Sequence, residues 1–325
     1  MIVLAIGGCG GDPSDLVDAE PASATLAPRA DPPIEVGGTP VAIAADESGV
    51  WLVDDSGSLL RLDPERPDGK QERIPIAGGL ASIAIGEGAV WVASGDGSIT
   101  RVDPTTGKST RLDLRVSQPG GIAAGEGSVW VTSSAANRLV RIDPASGDVV
   151  GDPIAVGEFP TDVAVGDGAV WVANTRDGSV SRVDSASGAA GPPIPVAEEQ
   201  VLALALDTDG VWVAKSDELI AGEIEVVRID PSTSEVAEES VAVDAAIPVR
   251  IAAGEGGVWT TLVGGARPLR SEQQSGVAVI DPATGRQIGQ AIDVGDRPSG
   301  IATGAGSVWV ANAGDGTVTR IDPGG

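Results

Sequence analysis

Apolar and polar positions along the chain alternate in short runs, and the runs come in sets. The stretch from Pro160 to Val196 shows one whole set. Thr161 to Val165 is a short run that ends at Gly166-Asp167-Gly168, and Ala169 to Ala173 (AVWVA) follows. After Asp177-Gly178, Ser179 to Asp184 alternates Val with polar residues, and a Ser/Gly turn leads to Ile194-Pro195-Val196. Runs of four to six residues rich in Val and Ile, bounded by Gly and Asp, predict strands, and the intervening turns predict hairpins. One set is therefore a four-stranded antiparallel meander.

The set recurs about every forty residues, with one Trp per copy: Trp51, Trp91, Trp130, Trp171, Trp212, Trp259 and Trp309, which are all the tryptophans of the chain. A period of about 40–50 residues with four strands per unit predicts a β-propeller, here all-β with seven blades. The seventh copy stops after its third strand. Its missing element has a counterpart at the other end of the chain, where Ile34-Glu35-Val36-Gly37 matches Ile154-Ala155-Val156-Gly157. The N-terminal strand is thus expected to complete blade seven and close the ring. The expected organisation is a signal remnant over 1–8, a flexible tether over 9–31 and the propeller over 32–325.

The repeated residues read as structure. One Trp at the same place in each blade predicts a wedge between blades rather than a ring of sugar platforms. Arg-x-Asp closes the third strand in six blades, while blade six has Val279 in place of the Arg. This predicts a repeated structural pair, local or across blades. The first hairpin turn has an acid in six blades (Glu47, Glu87, Glu126, Asp167, Asp209, Glu255), expected to be solvated on one strongly negative face.

Charge and composition narrow the function. The chain has 47 acidic and 21 basic side chains, a formal net charge of −26. Nucleic acid as a partner is disfavoured, as is adhesion to anionic lipid, because both need clustered Lys and Arg. There is no histidine, so the commonest general base and transition-metal ligand is missing. The single cysteine, Cys9, cannot form an internal disulfide. It follows an apolar run and two glycines, and Ile6-Gly7-Gly8-Cys9 resembles a bacterial lipobox. That resemblance implies acylation of Cys9 and a lipid-anchored protein outside the cytoplasmic membrane. The Pro-, Ala-, Ser- and Asp-rich segment after it fits a flexible spacer.

Function on a symmetric scaffold is expected where the symmetry breaks. The loop between the second and third strands lengthens over Lys215 to Glu225 in blade five and over Leu262 to Ser275 in blade six. Scarce positive charge gathers there and at the neighbouring connections: Lys215, Arg267 and Arg270, with Arg250, Arg297 and Arg176 on the same face. Asn174 and Asn312 are further candidate rim residues. This rim is expected to take a small polar or anionic ligand or an unidentified protein partner, and the chain is expected to be a monomer.

The phrases VWVANTRDGSVSRVD and VWVANAGDGTVTRIDP resemble the YVTN/YncE-like propeller repeats of bacterial surface and periplasmic proteins. Such propellers serve as binding scaffolds, which implies a non-catalytic binding function with no cofactor. The repeats are also similar to those of the streptogramin B (virginiamycin B) lyase family, which implies a seven-bladed enzyme using histidine and an acid near magnesium. Without histidine that catalytic pattern cannot be transferred. A sugar-lactonase-like propeller would instead hold a divalent cation, Ca²⁺ or Mg²⁺, in the central channel through Glu, Asn and Asp. A lyase- or lactonase-like enzyme is the alternative to the binding scaffold.

Overall fold

The seven meanders fold as seven antiparallel sheets. The structure is a computed structural model and describes residues 27–69, 71–76, 78–216, 224–243, 250–263 and 275–324. Each blade runs outward from an inner strand along the central channel. The inner strands are Pro40–Asp46, Leu80–Gly86, Pro119–Gly125, Pro160–Gly166, Gln200–Leu206, Ile251–Gly254 and Pro298–Gly304. Six sheets have four strands in sequence order, and the seventh combines both ends of the chain.

That seventh sheet is the expected closure. Ile34–Glu35 pairs antiparallel with the last strand, Ile34 opposite Val318 and Glu35 opposite Thr317. Ile34 and Val36 are buried beside Trp309, Val318, Val50 and Leu52, so the closing strand fills the seam between blades seven and one. Pairing starts earlier than the expected boundary at residue 32, because Arg29–Ala30 lies opposite Ile321–Asp322. The outer strand is interrupted at Asp31-Pro32-Pro33, where a proline lacks the N–H a ladder needs. Other blades show the same two-part outer strand, with bridges such as Ile142 to Val149 ahead of the paired Ile154–Ala155. Residues 1–26, with Cys9 and most of the tether, lie outside the described residues.

The tryptophans are wedges. Each is at most 2 % exposed, and each packs against the next blade. Trp51 meets Ile83, Val90 and Val92; Trp171 meets Leu204, Val211 and Val213; Trp309 meets Val50 and Leu52. This burial removes them as sugar platforms. Directly across the ladder from each Trp stands the blade's Arg, as in Trp130 opposite Arg141 and Trp171 opposite Arg182, whereas Trp259 faces Val279. The Arg141 guanidinium lies 5.1 Å from the Trp130 ring centre and donates to the Ala186 carbonyl of the following blade at 3.2 Å. Arg61 does the same over Trp51, reaching the Pro104 carbonyl at 2.9 Å. The Asp two residues on caps its own turn instead: Asp143 accepts from the Ala145 and Ser146 N–H groups. These bonds to the charged form hold the Asp143 carboxyl below the usual carboxylate range.

The acidic hairpin turns do more than meet water. Glu87 accepts from the Gly127 N–H at 2.9 Å, Glu126 from Gly168 at 3.1 Å and Glu255 from Gly306 at 3.2 Å. In each case a carboxylate reaches across a seam to the matching turn of the next blade.

Candidate binding cup at the channel mouth

The inner strands enclose a cavity of about 230 Å³ at the start of the channel, lined by residues of all seven blades. Its make-up follows from one register. The residue eight before each Trp is aliphatic: Ile43, Ile83, Ile122, Val163, Leu204, Ile251 and Ile301, each at most 9 % exposed. They form an apolar belt around the channel. The residue nine before each Trp forms a second ring: Ala42, Ser82, Gly121, Asp162, Ala203, Arg250 and Gly300. Five of these are small and uncharged. Asp162 in blade four and Arg250 in blade six break the symmetry with opposite charges, and both line the cavity.

Small residues in this ring are required by crowding. A Cβ on Gly121 would lie 2.8 Å from the Asp162 Cα. The hydroxyls around the cavity are largely used between and within blades. Ser82 donates to the Gly120 carbonyl at 2.8 Å, Ser299 to the Pro40 carbonyl at 2.7 Å, and the Thr161 and Thr175 hydroxyls share a bond of 2.6 Å.

Asp162 is held from two sides. Its Oδ2 accepts from the Leu204 N–H of the next blade at 3.0 Å, and its Oδ1 accepts from the Val163 N–H at 2.9 Å. Burial pushes its carboxyl above the usual range; the Leu204 N–H, the Arg250 charge and the Val163 N–H act in the opposite direction. Arg250 is exposed at the mouth, and its backbone is fixed by Thr261, whose hydroxyl accepts from the Arg250 N–H at 2.9 Å. The arrangement places one fixed carboxylate and one guanidinium at the same cavity, beside backbone, hydroxyl and aliphatic groups.

Among the described residues, the expected rim residues do not converge on the cavity. Lys215 lies in strand Val211–Ser216, not in a loop, and its Nζ is 2.8 Å from Glu225 Oε2, its partner across the ladder. Its charge is met within blade five. Asn174 and Asn312 are fully buried rather than on the rim surface. Their amides donate to Ser179 and Ser181 and to Thr317 and Thr319, which ties the second strand to the third. Arg176 lies over the Phe159 ring, 4.2 Å from its centre. Arg297 is exposed, with its Nε 3.8 Å from Asp296. Arg267 and Arg270 lie outside the described residues. Of the described residues in the expected set, Arg250 alone lines the cavity. Its counterpart Asp162 is missing from that set, although counting back from each Trp reveals it.

The magnesium implied by the resemblance does not fit this donor set. Hard divalent cations take six or more oxygens, usually including several carboxylates. Among the described residues, Asp162 is the only carboxylate lining the cavity, and a guanidinium lines it too. No group of three Asp, Glu or Cys side chains suited to a metal occurs among the described residues.

Comparison with known proteins supplies the relationship. A streptogramin B lyase structure superposes with a TM-score of 0.73 and 19 % identity, covering 92 % of this chain and 99 % of that one. Virginiamycin B lyase from Staphylococcus aureus gives 0.73 and 20 %, covering 91 % and 99 %. A catalytically inactive histidine-to-alanine variant of the S. aureus enzyme, solved with quinupristin, gives 0.73 and 17 %, with the same coverage. At these identities the likeness shows the fold. No curated protein matches by sequence. The profile of the virginiamycin B lyase family matches residues 33–281, and the chain belongs to that family.

Proposed function

We propose that this member of the family is a non-catalytic binding propeller, displayed outside the cytoplasmic membrane on a lipid attached to Cys9, with the channel cup as its ligand site. The observation behind this reading is the ring nine residues before each Trp, where two opposite charges replace small residues on a scaffold that is otherwise repetitive. A small number of charged groups brought to one concave cavity is a feature of a small-molecule site. The chain has no histidine to move a proton, whereas the S. aureus enzyme is inactive once a histidine is replaced by alanine. Family membership favours a second reading, a lyase acting on a streptogramin B by another route.

The two readings separate on one experiment. The purified protein is incubated with quinupristin and magnesium, and the compound is followed by reversed-phase chromatography. Unchanged quinupristin over many hours is expected. Enzyme-dependent conversion would overturn the non-catalytic reading.

A further inference from the structure

We infer that the seam between blades five and six is a docking site for an arginine side chain carried on a basic segment of another protein, with the guanidinium between Trp212 and Ala283 and beside Glu239. The site is separate from the channel cup and does not depend on what the cup takes.

The repeat itself shows what such a seam holds. In blades one, two, three, four and seven the arginine across the ladder from the Trp lays its guanidinium over that ring, 5.1–5.7 Å from its centre. In three of them it also donates to a carbonyl in the facing turn of the next blade: Arg61 to Pro104, Arg101 to Ala145 and Arg141 to Ala186. Trp ring and turn carbonyl together make a guanidinium receptor, with stacking on one side and a charge-assisted hydrogen bond on the other.

Blade five keeps both walls of that receptor but not the stack. Arg228 stands opposite Trp212, yet among the described residues no guanidinium lies over the Trp212 ring. The Arg228 stem folds back along its own hairpin turn: a Cβ on Gly210 would lie 2.9 Å from the Arg228 Cγ and 3.0 Å from its Cδ. Its charge acts on Asp230, whose carboxyl is held below the usual range by bonds from Ser232 and Thr233 and, to a lesser degree, by Arg228. Between the blades lies a cavity of about 170 Å³, lined by Trp212, Arg228, Ala237, Glu239 and the Pro282-Ala283 turn. Ala283 is the counterpart of Ala145 and Ala186, two residues after the aspartate of the turn.

Charge fixes the sign of the ligand. Glu239 lines the cavity, and Glu235 and Glu238 are exposed on the same outer segment. The whole chain carries −26. Among the described lining residues Arg228 is the one basic side chain, and Asp230 offsets it. An anion would meet the surrounding acids as like charges. A basic segment meets them as partners, so its approach is steered and its flanking charges are paired. Arginine suits the site better than lysine, because a planar guanidinium stacks on an indole and keeps edge donors for a carbonyl and a carboxylate at once.

The test is calorimetric titration of the full chain at low salt with acetyl-Lys-Arg-Lys-amide, beside the same peptide with citrulline in place of arginine. Citrulline keeps the shape and both lysines but removes the guanidinium charge. Binding of the arginine peptide is expected, with the citrulline peptide about tenfold weaker, since one charge-assisted bond is worth about a factor of ten. Ala237→Phe, at an exposed lining position, should block the cavity and reduce the arginine peptide to the level of the citrulline one. Glu239→Gln should weaken it several-fold. Arg228→Ala should bind it at least as tightly as wild type, because a like charge leaves the wall. Melting curves check that the variants fold. No binding of the arginine peptide by the wild type overturns the proposal. If Arg228→Ala binds it and the wild type does not, the receptor belongs to Arg228 itself, which overturns the proposal equally. Equal binding of the two peptides, or binding that Ala237→Phe and Glu239→Gln leave unchanged, reduces the contact to a general attraction to an acidic surface and overturns it as well. Loss of binding in Arg228→Ala would contradict a cation in this cavity.

Discussion

The Glu87 carboxylate accepts a hydrogen bond from the Gly127 backbone N–H at 2.9 Å, across the seam between the second and third blades. Glu126 and Glu255 repeat the contact at two further seams. All three seams are exposed, so water competes and each bond is worth about 0.5–1 kcal/mol. The sites are far apart, so their effects should add. The triple variant Glu87→Ala/Glu126→Ala/Glu255→Ala is expected to lose about 1.5–3 kcal/mol in urea unfolding. An unchanged midpoint would show that these acids are merely solvated.

The interblade wedge gives a larger effect. Trp171 is fully buried against Leu204, Val211 and Val213 of the next blade, and Trp171→Ala leaves a cavity that neighbouring strands cannot fill. The expected cost is about 3–5 kcal/mol. A loss below about 1 kcal/mol would contradict a wedge role for the repeated Trp.

Much of this fold is legible in the sequence, for a physical reason. Strand period, turn residues and the Trp rhythm are local signals, and seven copies reinforce one another, so blade number and the closing role of Ile34 to Val36 can be read directly. The site is less legible because it depends on what surrounds a side chain. Lys215 and Glu225 read as the two ends of a loop, yet they face each other across a ladder. Asn174 and Asn312 read as rim residues, but both are fully buried and their side-chain N–H groups are taken by neighbouring hydroxyls. Asp162 sits inside the run Thr161 to Val165, which reads simply as a strand, and nothing local marks it as facing the channel. Its neighbours across the axis come from blades distant in sequence.

Acid should act at the outer ladder of blade two. Arg111 Nη2 lies 2.8 Å from Asp96 Oδ2, and this bond, with those from Ser98, lowers the Asp96 carboxyl to about 2. A depressed folded-state pKa stabilises the fold above the unfolded value of 3.8 and loses that contribution as pH falls from about 4 through about 2. Both side chains are about two-fifths exposed, so the contribution is small. Asp96→Asn is expected to melt about one to two degrees below wild type at pH 7, with most of the gap gone by pH 2. A gap that stays constant from pH 7 to pH 2 would rule out this linkage.

The proposed anchor has its own readout. In a bacterial host, the full chain should incorporate radiolabelled palmitate and fractionate with membranes. Cys9→Ser should abolish both and leave the propeller's melting temperature unchanged. A wild-type protein with no label and no membrane fraction would contradict the lipid-anchored reading.

Faces, cup and rim all depend on closure of the ring by the N-terminal strand. Glu35 and Thr317 stand opposite each other in that pairing, at the Cα separation of an antiparallel ladder that a disulfide can span. The most direct measurement introduces Glu35→Cys and Thr317→Cys together in a Cys9→Ser background and maps disulfides by peptide mass after mild oxidation. The closed ring predicts near-complete intramolecular bonding between the two introduced thiols in a folded monomer; free thiols or intermolecular dimers would mean that the strand does not close the propeller.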